Sequence, residues 1–180
     1  MPLQAFVQPW SGYAVRHIPE APGVQLDIYD FRYSGRSHEN RWNVAGEPTL
    51  YLARDKDVAL AEYARHFTVD RTPGLAARTY RRKVYRFQVE LDATLNLCHP
   101  SVWNDLSLTN APACFQDKSV ARAVARFIRS TTPTRAVFVP SMAFPDDLAK
   151  WCLVLFLENL PRDPKTFLPA VAEDGYFQVS

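Results

Sequence analysis

The segment Val84–Leu91 alternates between apolar and polar residues more regularly than any other part of the chain. Its apolar positions are Tyr85, Phe87, Val89 and Leu91, and its polar positions are Arg86, Gln88 and Glu90. Successive side chains of a strand point to opposite faces, so this pattern predicts a strand with one face in a core and one in water. One-sided burial is typical of antiparallel sheets, and we expect this strand to lie outside the functional site.

Short apolar runs predict further strands at Tyr13–His17, Thr49–Ala53, Ala136–Val139 and Leu153–Leu157. Helical spacing appears in two places. The first helix follows a cap at Asp55 or Asp57 and has the stripe Leu60, Tyr63, Ala64 and Phe67. The second follows Asp117, with Val120, Ala121, Val124, Phe127 and Ile128 inside and Arg122, Arg126 and Arg129 facing water. The predicted fold class is α+β, with a mixed, largely antiparallel sheet and a few flanking helices.

The chain has 180 residues, which fits one domain over residues 1–180, with a core from about 13 to 157 and a surface tail over 158–180. Its 21 Lys and Arg nearly balance 19 Asp and Glu, so the charge favours neither nucleic acid nor a membrane surface as a partner. Cys98, Cys114 and Cys152 have no metal-ligand or disulfide spacing, which predicts no metal site and a reducing, cytoplasmic location. The longest apolar run is too short for a membrane span.

Three residues suggest a site for a polyanionic ligand: Arg41 in a polar loop, Tyr51 on a short strand and Glu62 on the polar side of the first helix. Arg36 in the same loop is a second candidate residue for binding an anion. Each has a plain structural alternative. Arg41 could pair with a surface Glu, Tyr51 could be a core residue, and Glu62 could be a solvated helix residue.

Ser141 follows Pro140 at the end of a strand, where a hydroxyl or a backbone N–H can be directed into a cleft to bind phosphate or ribose. Arg16 on the first strand could also reach a phosphate, although it could equally be an ordinary strand-end Arg. The sequence has no G-x-S-x-G motif, which argues against a Ser-His-Asp hydrolase.

The motif R-W-N-x-x-G-x-P at Arg41–Pro48, the strand L-Y-L-A, the helix A-L-A-E and the turn V-F-V-P-S resemble the RES domain family. The resemblance implies a fold like that of ADP-ribosyltransferases and the activity of toxins that degrade NAD, with water or inorganic phosphate as acceptor, controlled by an Xre-like antitoxin. It implies that Arg41 holds phosphate, Tyr51 packs on nicotinamide, Glu62 orients the ribose and stabilises the oxocarbenium ion, and Ser141 completes the polar wall.

NAD would then be the substrate, with no permanently bound cofactor. RES-like sequences often have an Asn before the last apolar strand, where this chain has Lys150, Trp151 and Cys152. Two alternatives stay open: a mono-ADP-ribosyltransferase that modifies a macromolecule, and a non-catalytic module that binds a nucleotide or a partner protein. The sequence also leaves a homo-oligomer open.

Overall fold

The computed structural model describes residues 3–20, 23, 26–65 and 81–178. The strands are β1 (Gln8–Pro19), β2 (Thr49–Ala53), β3 (Arg82–Asn96), β4 (Ala136–Pro140), β5 (Trp151–Phe156) and β6 (Ala170–Phe177). The α-helices are α1 (Lys56–Arg65), α2 (Pro100–Asp105) and α3 (Lys118–Thr131).

The strands form one sheet in the order β1-β2-β5-β4-β3-β6, and β1 also pairs with β3. This extra pairing closes the first five strands of that order into a small barrel, with β6 added outside against β3. Only the β3–β4 pair is parallel among the pairs of the described strands. The predicted α+β class with a mixed, largely antiparallel sheet is confirmed, whereas its closure into a barrel was not predicted.

β3 is long enough to pair along most of its length with β1 on one side and with β4 and β6 on the other. Its predicted alternation is confirmed over the middle of the strand, where Phe87, Val89 and Leu91 are buried and Arg86 and Glu90 are exposed. The buried side chains enter a core that also contains residues of β2, β4 and β5. This core makes the barrel wall a firm base for side chains at its rim.

The prediction that the segment after Leu157 is surface loop is wrong for Ala170–Phe177, which forms β6. All eight of its side chains are exposed or half-buried, and the segment has no clean apolar alternation. Its order comes from antiparallel pairing with β3, for example Arg86 with Ala172 and Phe87 with Val171. Backbone pairing of this kind leaves little trace in the sequence.

The burial pattern of α1 differs from the predicted stripe. Val58 and Ala59 are its fully buried residues, whereas Leu60 and Tyr63 are half-buried. Phe67, the last residue of that stripe, lies outside the described residues. The expected cap is confirmed, because the backbone N–H of Val58 donates to Oδ1 of Asp55 at 2.9 Å.

No α-helix in the described ranges is both long and apolar enough to cross a membrane. The same ranges contain no group of three or more His, Cys, Asp or Glu side chains that could hold a metal ion.

Candidate active site

A cleft of about 360 Å³ opens where β1, β2 and α1 meet the polar loop that precedes β2. The polar and titratable residues along its described wall are Arg16, His17, Tyr33, Ser34, Ser37, Asn40, Thr49, Tyr51, Glu62 and Cys152. Cavities that bind small molecules usually have volumes of about 300–1,000 Å³, so this cleft can enclose one end of a nucleotide.

Glu62 lies on the side of α1 that faces the barrel, which corrects the prediction that it lies on the polar side. It follows Val58 by four residues and Ala59 by three, so it shares a helix face with both buried residues. Small and β-branched residues at these positions bring the helix close to the strands. The sequence contained this signal, but the larger Leu60 and Tyr63 suggested a different inward face.

The carboxylate of Glu62 is held by two donors from the turn after β4. Ser141 Oγ donates to Oε1 at 2.5 Å, and the backbone N–H of Ala143 donates to the same oxygen at 3.0 Å. Within the described residues Oε2 has no hydrogen-bond partner. One carboxylate oxygen is therefore fixed, and the other remains available to a ligand in the cleft.

Ser141 is fully buried, and its own backbone N–H donates to the carbonyl of Lys150 at 2.9 Å. Among the described residues it does not line the cleft. Its hydroxyl instead acts on Glu62, which is 79 residues away in the chain. The structure thus brings together two of the predicted site residues, with Ser141 behind Glu62 and not beside the ligand space.

Tyr51 lines the cleft from β2, and its hydroxyl links two residues of the preceding loop. It donates to Oδ1 of Asn43 at 2.7 Å and accepts the backbone N–H of Trp42 at 3.1 Å. Burial raises the pKa of Tyr51, so the hydroxyl stays protonated at neutral pH. The ring contacts the ligand space while the hydroxyl holds the loop.

Asn43 is a structural residue that sequence reasoning missed, although it lies in the R-W-N motif. It is fully buried, and its Nδ2 donates to the carbonyls of Gly35 at 2.7 Å and Val44 at 2.6 Å. Together with the bond from Tyr51, these contacts tie three parts of the loop to β2. The loop wall of the cleft is therefore fixed by buried hydrogen bonds.

The structure does not bring Arg41 or Arg36 to the wall of the cleft in the described part of the chain. Arg41 donates from one guanidinium nitrogen to the carbonyls of Phe115 at 2.9 Å and Gln116 at 2.6 Å. Arg36 is exposed, with its guanidinium carbon 4.8 Å from the centre of the Tyr33 ring. A phosphate-binding role for either residue stays a prediction.

Arg16 does line the cleft. Its guanidinium donates to the carbonyl of Ile28 at 2.9 Å and lies 5.0 Å from the centre of the Phe31 ring. Burial, and then the charge of Arg82, lower the pKa of Arg16 to about 10. The group is therefore still a cation at neutral pH, and among the described residues it is the arginine that lines the cleft.

His17, beside Arg16 on β1, also lines the cleft and was not predicted as a site residue. Its Nδ1 accepts from Nε of Arg82 at 3.0 Å, so in the neutral ring the proton lies on Nε2. Burial, and then the charges of Arg82 and Arg16, lower the pKa of His17 to about 3. The ring is neutral at physiological pH.

Cys152 on β5 forms part of the cleft wall close to Glu62. Burial, and then the Glu62 carboxylate, raise the pKa of its thiol, so it is a neutral side chain in the wall. It belongs to the segment where an Asn is common in RES-like sequences. The thiol offers only a weak hydrogen bond in its place.

The spacing of the arginines in α3 predicted that they face water, but in the structure they also contact the loop before β2 or the start of that strand. Arg122 donates to the backbone carbonyls of His38 and Asn40, both at 2.6 Å. Arg126 pairs with Glu47 at 3.1 Å, and Arg129 donates to Oγ1 of Thr49 at 2.9 Å. Helix α3 therefore anchors the loop that forms one side of the cleft.

The fold of this chain is similar to that of a chain in the crystal structure of the M. tuberculosis MbcT-MbcA toxin-antitoxin complex. The match has a TM-score of 0.65 and 20% sequence identity, and covers 97% of this chain and 87% of the other. No curated protein matches the chain. The family model of the RES domain matches residues 17–174. The chain therefore belongs to the RES domain family.

Proposed function

We propose that this protein cleaves the bond between nicotinamide and ribose in NAD. The observation that carries the proposal is the Glu62 carboxylate, which Ser141 and Ala143 fix at one oxygen inside a cleft that Tyr51 and Arg16 also line. An immobilised carboxylate beside a ribose stabilises the positive charge that develops as a glycosidic bond breaks.

In the proposed reaction the C–N bond breaks and nicotinamide leaves as a neutral molecule with the bonding electrons. The ribose becomes an oxocarbenium ion, and its charge lies next to Oε2 of Glu62. A water molecule or an inorganic phosphate then forms the new bond at the same carbon, and water loses a proton in doing so. The leaving group is already cationic in NAD, so the step needs no general acid.

The side chains suggest an orientation for the substrate. The Tyr51 ring offers a flat surface to nicotinamide, since aromatic faces stack on electron-poor rings. Arg16 is the cation among the described residues of the cleft wall and would contact the phosphate nearest the reacting ribose. In this proposal Arg41 acts indirectly, by fixing the loop against the carbonyls of Phe115 and Gln116.

We also propose a biological role, in which this protein is a toxin that acts in the cytoplasm and is controlled by a protein antitoxin. Membership of the RES domain family supports it, and so does the fold shared with a chain of the M. tuberculosis MbcT-MbcA toxin-antitoxin complex. An architecture related to ADP-ribosyltransferases is part of the same proposal. An antitoxin that covered the cleft would block access of NAD to Glu62.

The test is incubation of purified protein with NAD, with and without inorganic phosphate, followed by chromatographic and mass analysis of the products. We expect nicotinamide together with ADP-ribose or its phosphorylated form. Glu62→Gln should lose the activity, whereas Asp57→Asn, a change to an exposed carboxylate of the same helix, should retain it. Equal nicotinamide release by wild type and Glu62→Gln would contradict the proposal, and label transferred from NAD to a macromolecule would indicate a transferase.

A further inference from the structure

The cleft encloses too little space for a whole dinucleotide. Its volume of about 360 Å³ is near the lower end of ligand cavities. If the nicotinamide riboside end lies next to Tyr51 and Glu62, the diphosphate and the adenosine must continue past the mouth of the cleft. The surface at that mouth then decides whether the protein distinguishes a dinucleotide from a mononucleotide.

Tyr33 lies at this mouth, and together with two neighbouring arginines it provides the residue types of a base-binding surface. It is one of the cleft-lining residues, yet its side chain is 67% exposed. The guanidinium carbon of Arg36 lies 4.8 Å from the ring centre, and that of Arg32 lies 5.8 Å from it. Stacked aromatic and guanidinium groups of this kind bind the flat faces of nucleobases.

The two arginines differ in how their charge is balanced. Arg32 is neutralised by Asp30, through bonds of 2.8 Å from Nε and 2.7 Å from Nη2. Arg36 has no carboxylate within salt-bridge distance among the described residues. Of these two arginines, Arg36 therefore has the uncompensated positive charge beside Tyr33, which suits contact with the diphosphate of a ligand that extends out of the cleft.

The backbone under these side chains is fixed, although the side chains are exposed. Gly35 has a φ of +84°, and a Cβ there would lie 1.9 Å from the carbonyl oxygen of Glu47. The Gly35 carbonyl accepts from the backbone N–H of Gly46 at 3.1 Å and from Nδ2 of Asn43 at 2.7 Å. Tyr33 and Arg36 are thus held at the mouth before a ligand arrives, which lowers the entropy cost of binding.

From these contacts we infer that Tyr33 and Arg36 form the subsite for the adenosine diphosphate half of the substrate. The adenine stacks on the Tyr33–Arg36 pair, and the Arg36 guanidinium contacts the diphosphate. This inference rests on the proposed function for the orientation of the nicotinamide end. It makes the protein selective for dinucleotides over nicotinamide mononucleotide.

The experiment measures calorimetric binding of ADP-ribose and of nicotinamide mononucleotide to wild type and to variants. Tyr33→Ala should weaken ADP-ribose binding about 10-fold or more relative to mononucleotide binding, because a base stacked on an aromatic ring is lost. Tyr33→Phe keeps the stack and should keep the ratio, and Arg36→Ala should lower it. The matched control is Tyr13→Ala, which removes a 62% exposed Tyr that has Arg86 at 5.6 Å but is not part of the cleft wall.

An unchanged ratio of the two affinities in both Tyr33→Ala and Arg36→Ala would overturn the inference, and so would a wild type that does not bind ADP-ribose. A general structural fault would also weaken the binding of nicotinamide mononucleotide, whereas loss of the subsite should leave that binding unchanged. The proposed function is tested separately by nicotinamide release. If the variants lower the ratio of affinities but the wild type releases no nicotinamide, the subsite is supported and the proposed enzyme activity is rejected. If nicotinamide is released but the ratio is unchanged in both variants, the activity is supported and the subsite is rejected.

Discussion

Replacing Tyr51 by Phe tests how the loop wall of the cleft is held. The Tyr51 hydroxyl donates to Oδ1 of Asn43 at 2.7 Å and accepts the Trp42 backbone N–H at 3.1 Å. Asn43 is 0% exposed and Trp42 is 3% exposed, so both partners lose a hydrogen bond at a buried position, next to the cleft that Tyr51 lines. The ring itself stays, and the substitution isolates the hydroxyl.

A buried polar group left without its partner costs about 1–3 kcal/mol. Two such groups would sum to about 2–6 kcal/mol, but water from the adjacent cleft can replace part of the bonding, so we expect a loss of about 2–4 kcal/mol in the free energy of unfolding. A change of 1 kcal/mol shifts the Tm of a domain of this size by about 2–4 °C, so a loss of about 2–4 kcal/mol lowers the Tm by about 4–16 °C.

The assay is urea unfolding followed by tryptophan fluorescence, with Tyr33→Phe as the matched control. The Tyr33 hydroxyl makes no hydrogen bond within the described residues, so its removal should change stability by less than about 0.5 kcal/mol. A double-mutant cycle between Tyr51→Phe and Asn43→Ala should give a coupling energy of about 1 kcal/mol or more. If Tyr51→Phe were as stable as Tyr33→Phe, the reasoning about the loop would be refuted.

Three further changes have clear expected results by urea unfolding. Burial lowers the pKa of His17 from 6.5 to about 3, so the unfolded chain binds a proton that the folded protein rejects. The contribution of the neutral His17 ring to the free energy of unfolding should be fully present above pH 6.5 and should fall as the pH drops toward 3, by at most about 1.4 kcal/mol per pH unit. His17→Gln should flatten this pH dependence between pH 6.5 and 5, and an unchanged slope would contradict the lowered pKa of His17. Arg129→Met should cost about 2–3 kcal/mol, because the Arg129 side chain is only 10% exposed and its Nη1 lies 2.7 Å from Oε1 of Glu158; wild-type stability of the variant would show that this ion pair does not stabilise the fold. Gly35→Ala should cost at least about 3 kcal/mol because its Cβ would overlap backbone, whereas Gly46→Ala has open space and should cost only about 1–2 kcal/mol; equal losses would refute the steric argument.

Much of the fold follows from local patterns in the sequence. β2 has the predicted bounds Thr49–Ala53, and α3 starts after its Asp117 cap, whose carboxylate accepts the Ser119 N–H at 2.7 Å. Both depend on neighbouring residues alone: an apolar run in one case and a capping side chain in the other. The barrel closure through β1 and β3 depends on pairing between distant segments, which no local pattern specifies.

In the candidate site, too, some features could be predicted from the sequence and others depend on contacts between distant segments. Tyr51 and Glu62 were predicted as site residues from the RES-like motif, and both line the cleft. The inward position of Glu62 was missed because the larger apolar residues of α1 are only half-buried. The contact between Ser141 and Glu62 joins the turn after β4 to helix α1, 79 residues apart in the chain, so only the tertiary structure could reveal that one positions the other.

The structural role of α3 could not be read from its spacing. Arginines on the outer face of an amphipathic helix look the same whether they face water or a neighbouring loop. Arg122 reaches carbonyls 82 and 84 residues earlier in the chain, at Asn40 and His38. A backbone carbonyl has no sequence signature, so such contacts are invisible before the chain is folded.

The most direct test of the account compares kcat and KM for nicotinamide release from NAD between wild type and Glu62→Gln, with Asp57→Asn as control. Glutamine keeps the shape of the side chain and removes the charge that Ser141 and Ala143 hold in place. We predict a fall in kcat of roughly 100-fold or more with a small change in KM, since the charge acts mainly on the transition state. A Glu62→Gln enzyme with the kcat of wild type would contradict the central claim.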